Sequence, residues 1–244
     1  MTAPHDPWMV TIIGRGHSGT RAMAETLRAS GVYMGEPLNG AGDLLPPDAM
    51  YEACRILSRQ VRHRGGTDWD LRRLRDMPPA PAFEKFVRDY LETVLSSDLP
   101  RRGWKIPETI LCLPWIVPMF PSIRCIYWIR DPRDCILGNH ITDDLGAFGV
   151  PCDRTDDVLL RRAISWKYQA EIVRATSKPA HWITVRFEDF VLDQERTLEH
   201  LSRFLGIDLA RIPVRPEAVG RWKTDPGHRD FDFLETDLAE FGYL

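Results

Sequence analysis

The stretch "MVTIIGRGHSGTRAM", Met9–Met23, changes character twice. It begins as an apolar run containing Val10, Ile12 and Ile13, the composition of a buried strand. From Thr20 onward it has the spacing of a helix, which the sequence carries from Thr20 to Ser30 and stops near Gly31. Between the two lies a loop of small residues, "GRGHSGTR". The first amides of a helix have no intrahelical partner, and the positive end of the helix dipole lies behind them. Gly14, Gly16 and Gly19 permit a tight turn, while Ser18 and Thr20 add hydroxyls. The loop therefore reads as a cradle for a phosphate or sulfate group, with a turn built only for packing as the alternative.

Two further runs look like buried strands, "RCIYWI" (Arg124–Ile129) and "HWITVRF" (His181–Phe187), and a helical pattern follows each. In "TLEHLSRFLGI" the helix closes on Gly206. Strands alternating with helices imply an α/β fold: a P-loop-like parallel sheet flanked by helices on both faces. Ligands of such sheets bind beyond the carboxyl ends of the strands. After the second run comes "YWIRDPRDCILGNH", where Arg130 stands at the strand's end and Asp131 and Pro132 suit the N-cap and first turn of a helix. Arg130 can fork onto a phosphate, or it can pair with Asp131 or Asp134.

With 244 residues, 43% of them hydrophobic and 27% charged, the chain can bury a large core, and one domain spanning 1–244 is expected. The formal net charge of −3 gives no bulk attraction to nucleic acid or anionic membranes, so an anion site must be local. The five cysteines are odd in number and scattered, which fits reduced thiols rather than a disulfide framework or structural zinc. The opening "MTAPHDPWMV" has no basic n-region, and no run reaches the ~18 apolar residues of a membrane span. A cytoplasmic protein is the resulting expectation. "FEKFVRDYLETVLSS" reads as one amphipathic helix, the aromatic residues of "SWKYQ" as core, and the arginine-rich "RQVRHRGGTDWDLRRLRD" as a solvated helical face, with a surface for an anionic substrate as its alternative.

Taken together, these motifs resemble the sulfotransferase family. "GRGHSGTR" is similar to the loop that binds the 5′-phosphosulfate, and "IRDPRD" to the start of the 3′-phosphate motif. "VRFEDFVLDQERTLEHLSRFLGI" (Val185–Ile207) resembles the family's "VRYEDL" strand and helix, and "GRWK" (Gly220–Lys223) its C-terminal nucleotide-side segment. The resemblance covers residues 9–36, 104–139 and 181–223 and is nearest in layout to the bacterial and protein-tyrosine branches. It implies transfer of a sulfuryl group from 3′-phosphoadenosine 5′-phosphosulfate (PAPS) to a hydroxyl acceptor, in line, with adenosine 3′,5′-bisphosphate (PAP) as product and no metal. The acceptor is a small molecule, a glycan or a peptide; no nucleic-acid partner is implied.

The resemblance also carries residue roles. Arg15, Gly16, His17, Ser18, Gly19, Thr20 and Arg21 correspond to the 5′ site, and Arg130, Gly138 and Arg221 to the 3′ side. Lys105, in "GWKIPET", lies ahead of a helix and the "FPSIRCIYWIR" strand and resembles the lysine that faces the sulfuryl group; Trp104 and Pro107 favour a fixed, partly enclosed position, with a solvated lysine in a loop as the alternative. Glu36, in "SGVYMGEPLNG", resembles the catalytic glutamate of the protein-tyrosine branch, with His17 and His140 as substitute bases. Two positions depart from the family pattern. His17 stands where a lysine or arginine is usual before "SGT"; it can supply that charge as imidazolium or serve as the base. Gly138 stands where a serine is usual, eight residues after Arg130, so Arg130 would share the 3′-phosphate with backbone groups, Asn139 or Arg221. A serine restored at 138 is expected to tighten that binding. Two other readings compete. A P-loop kinase for a small metabolite is disfavoured by Thr20, which stands where the Walker lysine belongs. A noncatalytic nucleotide-binding protein of the same fold is suggested by the departures at 17 and 138.

Overall fold

The computed structural model describes residues 7–244; residues 1–6, which open the stretch read for an export signal, lie outside them. Six strands occur among the described residues: β1 (Trp8–Ile13), β2 (Arg62–Gly65), β3 (Asp68–Asp70), β4 (Arg101–Lys105), β5 (Arg124–Ile129) and β6 (His181–Arg186). Four of them form a parallel sheet in the order β4-β1-β5-β6. The three apolar runs of the sequence are β1, β5 and β6. β1 is central, with Ile12 paired to Lys105 on one side and to Ile126 on the other. The loop after β1 therefore emerges between the ends of β4 and β5.

Because strand side chains alternate between faces, β1 and β5 feed two separate cores. Val10, Ile12, Ile126 and Trp128 pack with Met23 and Leu27 of the opening helix, Thr20–Ala29, and with Leu198 and Leu201 of the helix Gln194–Leu205. Ile13, Cys125, Tyr127 and Ile129 face the opposite core, built with the helices Asp48–Ser58, Pro81–Tyr90 and Val158–Ala175. Helices thus cover both faces of the sheet. Trp166 and Tyr168 of "SWKYQ" are buried in the second core. The opening helix stops as expected, with Gly31 at φ 80°, and Gly206 caps its helix at φ 70°. Asp131 caps the helix Pro132–Cys135 by accepting from the Arg133 amide at 2.9 Å.

Two expectations need correction, and one strand was not expected. Lys105 ends that strand, β4: "RRGWK" carries little apolar signal, yet its backbone pairs with β1 and with Tyr33, whose carbonyl accepts from Gly103 N at 2.7 Å. The arginine-rich segment is no continuous helix. It forms the antiparallel hairpin β2-β3, turning at Gly65 and Gly66 with φ of 108° and 56°, followed by a short helix, Arg72–Asp76. Trp69 anchors that hairpin by donating from Nε1 to Pro151 O at 2.8 Å. Finally, "FEKFVRDYLETVLSS" breaks at Leu91 into Pro81–Tyr90 and Glu92–Leu95.

Candidate active site

The loop after β1 is held open from below. Trp128 Nε1 donates to Ser18 O at 3.0 Å, and Arg130 Nη1 donates to His17 O at 3.1 Å, so two loop carbonyls are tied back to β5 and its end. Gly19, at φ 89°, sits directly over the Phe187 ring, where a Cβ would lie 2.5 Å from a ring carbon; only glycine serves both demands. His17 also takes a positive φ, 64°, a conformation histidine tolerates better than most residues but at a cost. Ser18 N is used within the loop by Arg15 O at 3.1 Å, whereas the amides of Gly16, His17, Gly19 and Thr20 find no acceptor among the described residues. Ser18 Oγ is buried and likewise without a partner. Free amides, an orphaned hydroxyl and a helix N-terminus make a set of donors that fits a tetrahedral anion.

Charge around the loop is distributed unevenly. Arg15 is 3% exposed and turned into the protein, where it pairs with Asp143 and donates to Cys135 O at 2.8 Å. Arg21 and Arg221 are exposed. His17 donates from Nε2 to Asn139 O at 2.5 Å, which fixes its tautomer. Burial, opposed by the bond to Asn139 and aided by Arg15 and Arg221, holds its pKa below the ordinary 6.5. These surroundings disfavour the imidazolium alternative for His17. A Cβ on Gly138 would lie 2.6 Å from His17 Cγ and Nδ1, and one on Gly16 would lie 2.1 Å from the His140 ring. Both glycines leave room for a histidine. The expectation that a serine at 138 improves the site meets a steric objection: its Cβ and the His17 ring claim the same space, so the ring must move.

On the far side of the loop, both readings of Arg130 meet. It is 5% exposed, stacks on Phe187 at 4.5 Å, bonds Asp134 at 3.0 Å and donates to the Ala218 carbonyl, while its Nε remains buried and unpartnered. Asp134, fully buried, also accepts from Gly220 N at 2.8 Å and Trp222 N at 2.9 Å. One carboxylate therefore ties the segment after β5 to "GRWK" and sets where Arg221 emerges. Asp134 entered the sequence reading only as a possible partner for Arg130.

The other end of the site forms around Lys105. Its Nζ, 3% exposed, donates to Asp43 Oδ1 at 2.6 Å and to Ala41 O at 3.0 Å. Asp43 is brought there by a turn in which Asn39 Oδ1 accepts from Ala41 N and Asp43 N, while Asn39 Nδ2 donates to Asp43 Oδ2. Burial lowers the pKa of Lys105, and Asp43 and Glu108 oppose that shift. Glu108, three residues on in the short helix Pro107–Cys112, is 2% exposed, and burial pushes its carboxyl up to about 7. His140 Nε2 lies 4.0 Å from Glu108 Oε1. Burial, and next Arg15, push the His140 ring down to about 4. His140 lines a cavity of about 810 Å³ together with Asn139, Asp143, Val150 and Arg161.

Glu36 does not join this group. Its carboxylate is exposed, its one hydrogen bond among the described residues is from the Tyr33 hydroxyl at 3.4 Å, and it shares no hydrogen bond or ion pair with Lys105, His17 or His140. Asp43 and Glu108 were missed by sequence reasoning. Only the proximity of Glu108 to Lys105 in "KIPE" could have drawn attention to it.

Fold and site together define an α/β protein with an open cradle of amides after its first strand and a buried lysine–carboxylate group beside it. A model of the sulfotransferase family matches residues 10–211, and the chain belongs to that family. Among solved structures it is similar to the sulfotransferase domain from the curacin biosynthetic pathway (TM-score 0.60, 12% identity, 98% of each chain covered). It is also similar to the sulfotransferase domain of the Synechococcus PCC 7002 olefin synthase (TM-score 0.56, 15% identity, 99% of this chain and 97% of that one). A third is sulfotransferase STF1 from Mycobacterium tuberculosis H37Rv (TM-score 0.50, 16% identity, 98% and 77%). At these identities the likeness is one of fold. No curated protein matches the chain by sequence. Among the described residues no helix is long and apolar enough to cross a membrane.

Proposed function

We propose that the protein is a PAPS-dependent sulfotransferase acting on a hydroxyl acceptor, working as one domain over residues 1–244 in the cytoplasm. The observation that carries this reading is the cradle itself: four unpartnered amides and the buried, unpartnered Ser18 Oγ after β1, in a chain of the sulfotransferase family. When bound, the donor supplies the sulfuryl group and a bisphosphate leaving group. The amides of Gly16, His17, Gly19 and Thr20 with Ser18 Oγ hold its 5′ end, and Arg21 adds charge at the rim. Arg130, whose charge lies just beneath the loop, and the exposed Arg221 attract the 3′-phosphate beside Gly138. Neutral His17 positions the loop through Asn139 rather than supplying charge. Lys105, steered by Asp43, stabilises the charge that develops on transfer, which is mainly an electrostatic and positioning task in such reactions. The cavity beside His140 takes the acceptor, a hydroxyl-bearing small molecule, glycan or peptide. The base role that the resemblance gives Glu36 has less support than a buried group would, because among the described residues its exposed carboxylate bonds only Tyr33.

A thermal-shift comparison tests the reading. PAP at about 100 times its Kd should stabilise the protein by about 2.7 kcal/mol. ATP with magnesium should do little. Stabilisation and turnover with ATP but not PAP would replace this reading with the kinase. Tight PAP binding without transfer to any of a broad panel of phenols and alcohols would replace it with the noncatalytic one.

A further inference from the structure

We propose that Glu108 is the general base that takes the acceptor's proton, with His140 as the positioning residue that orients the acceptor oxygen; this rests on the sulfuryl-transfer reading above. Glu108 is the buried carboxylate of the site left unused by the fold. It is 2% exposed, and no hydrogen bond from another described residue reaches it. Asp43, the other carboxylate of the group, is committed to Lys105 at 2.6 Å and Asn39 at 2.9 Å. Beyond its own backbone amide, this buried carboxylate has only the charge of nearby Lys105 to offset its desolvation, and it lies three residues from the lysine assigned to the sulfuryl group.

The facing histidine supplies the geometry. Thr142 N at 3.3 Å and the Thr142 hydroxyl at 3.0 Å both face His140 Nδ1; with Nδ1 accepting from them, the ring proton is on Nε2, 4.0 Å from Glu108 Oε1. That separation is too long for a direct hydrogen bond. Two bonds of about 2.8 Å, meeting at one oxygen beside the pair, span it readily. An acceptor hydroxyl placed between the two side chains can accept from Nε2–H and donate to Glu108; His140 also lines the 810 Å³ cavity, whereas Glu108 lies behind it. As its oxygen lone pair forms the new O–S bond, the hydroxyl proton passes to Glu108. The S–O bond to the 5′-phosphate breaks, and its electron pair leaves on PAP. Both groups are in the required state near neutrality. Burial raises Glu108 to about 7, so about half is ionised there, and His140 at about 4 is neutral. The charged and titratable groups facing Glu108 are Lys105 from β4, Asp43 from its turn, Tyr51 and Cys54 from the helix Asp48–Ser58, Tyr90 from the helix Pro81–Tyr90, and His140.

Radiolabelled PAPS with para-nitrophenol and a primary alkyl alcohol as probe acceptors, PAP calorimetry and carbon-13 carboxyl NMR test the assignment. In the wild type the transfer rate should rise with pH through a limb near 7, and one glutamate carboxyl should titrate there. Glu108→Gln should lose both, with turnover down about 10²-fold or more. The loss should be smaller toward para-nitrophenol, whose acidic hydroxyl needs less help, and PAP affinity should stay within about twofold. Glu108→Asp should keep the limb at reduced rate and serves if the glutamine variant does not fold. Wild-type turnover or a retained limb in Glu108→Gln overturns the base assignment while sulfuryl transfer stands, as does a wild-type protein with no carboxyl titrating near 7. Parallel loss of PAP affinity and rate makes Glu108 structural and also overturns it. A wild type that neither binds PAP nor transfers sulfuryl overturns the functional reading and this inference with it.

Discussion

Gly138→Ser is the substitution on which family pattern and three-dimensional structure disagree in sign. By pattern alone the added hydroxyl restores a donor for the 3′-phosphate. In the fold, the new Cβ would sit 2.6 Å from His17 Cγ and Nδ1, against an ordinary contact that begins near 3.4 Å, so the ring must retreat by about 0.8 Å. That retreat pulls Nε2 off Asn139 O, now 2.5 Å away. Losing the hydrogen bond costs about 0.5–1.5 kcal/mol. Forcing χ1 of a residue already at φ 64° off its rotamer adds about 0.5–1.5 kcal/mol. Gly138→Ser should therefore destabilise the protein by about 1–3 kcal/mol and weaken PAP binding, since the loop loses its brace. His17→Ala in the same background should remove most of the penalty. A double-mutant cycle by urea denaturation, with PAP titrated into each of the four proteins, measures the coupling. A serine variant as stable as the wild type, tighter for PAP and uncoupled from His17, would refute the steric argument.

Asp134→Ala removes the shared acceptor of Arg130 Nη2, Gly220 N and Trp222 N and should cost about 3–5 kcal/mol by chemical denaturation, the price of breaking a buried charge pair, with loss of PAP affinity in calorimetry. Lys105→Met should lower turnover by about 10²–10³-fold, as when a single stabilising donor is deleted, while PAP affinity falls far less. The stability of His140 and Glu108 against pH should run in opposite directions. For His140 the unfolded ring, at its ordinary 6.5, binds a proton before the folded ring at about 4, so its contribution is full above 6.5 and falls, by up to about 3 kcal/mol, as pH drops toward 4. For Glu108 the folded value of about 7 lies above the ordinary 4.5, so its contribution is full below 4.5 and is lost as pH rises through 7. Relative to the wild type, Glu108→Gln should thus be more stable above pH 7, and His140→Asn should lose stability less steeply on acidification; denaturation curves across that range check both.

What the sequence disclosed is what is local. Three strands were legible because β1, β5 and β6 are apolar runs, and the cradle was legible because its glycines and hydroxyls are consecutive. β4 escaped because Arg101, Arg102 and Gly103 join the sheet through backbone pairing, which leaves no apolar signature. The Gly65–Gly66 turn was visible in the letters, but the arginines around it outweighed it in the reading. Within the site, the residues that remained illegible are those defined by a distant partner. Asp43 matters because Lys105, 62 residues on, reaches it, and Glu108 because His140, far along the chain, faces it.

The two departures from the family pattern show why such pairs change an argument rather than merely completing it. Read along the chain, His17 and Gly138 are two separate losses, a missing cation and a missing hydroxyl, and two losses favour a protein that has given up catalysis. In space they are one feature: the glycine makes room for the imidazole, and the imidazole braces Asn139 and with it the turn that leads to His140. A brace of this kind holds the cradle without adding charge to it. In the proposed sulfuryl transfer, the cationic work then falls to Arg21, Lys105, Arg130 and Arg221. If that division holds, His17→Lys alone should not improve the site, because a lysine there cannot form the ring's bond to Asn139 while Gly138 leaves a gap beside it. Only His17→Lys combined with Gly138→Ser, which restores both members of the family pair, should approach wild-type PAP affinity in the calorimetric cycle. A single His17→Lys variant that binds PAP more tightly than the wild type would show that the charge, not the brace, limits donor binding.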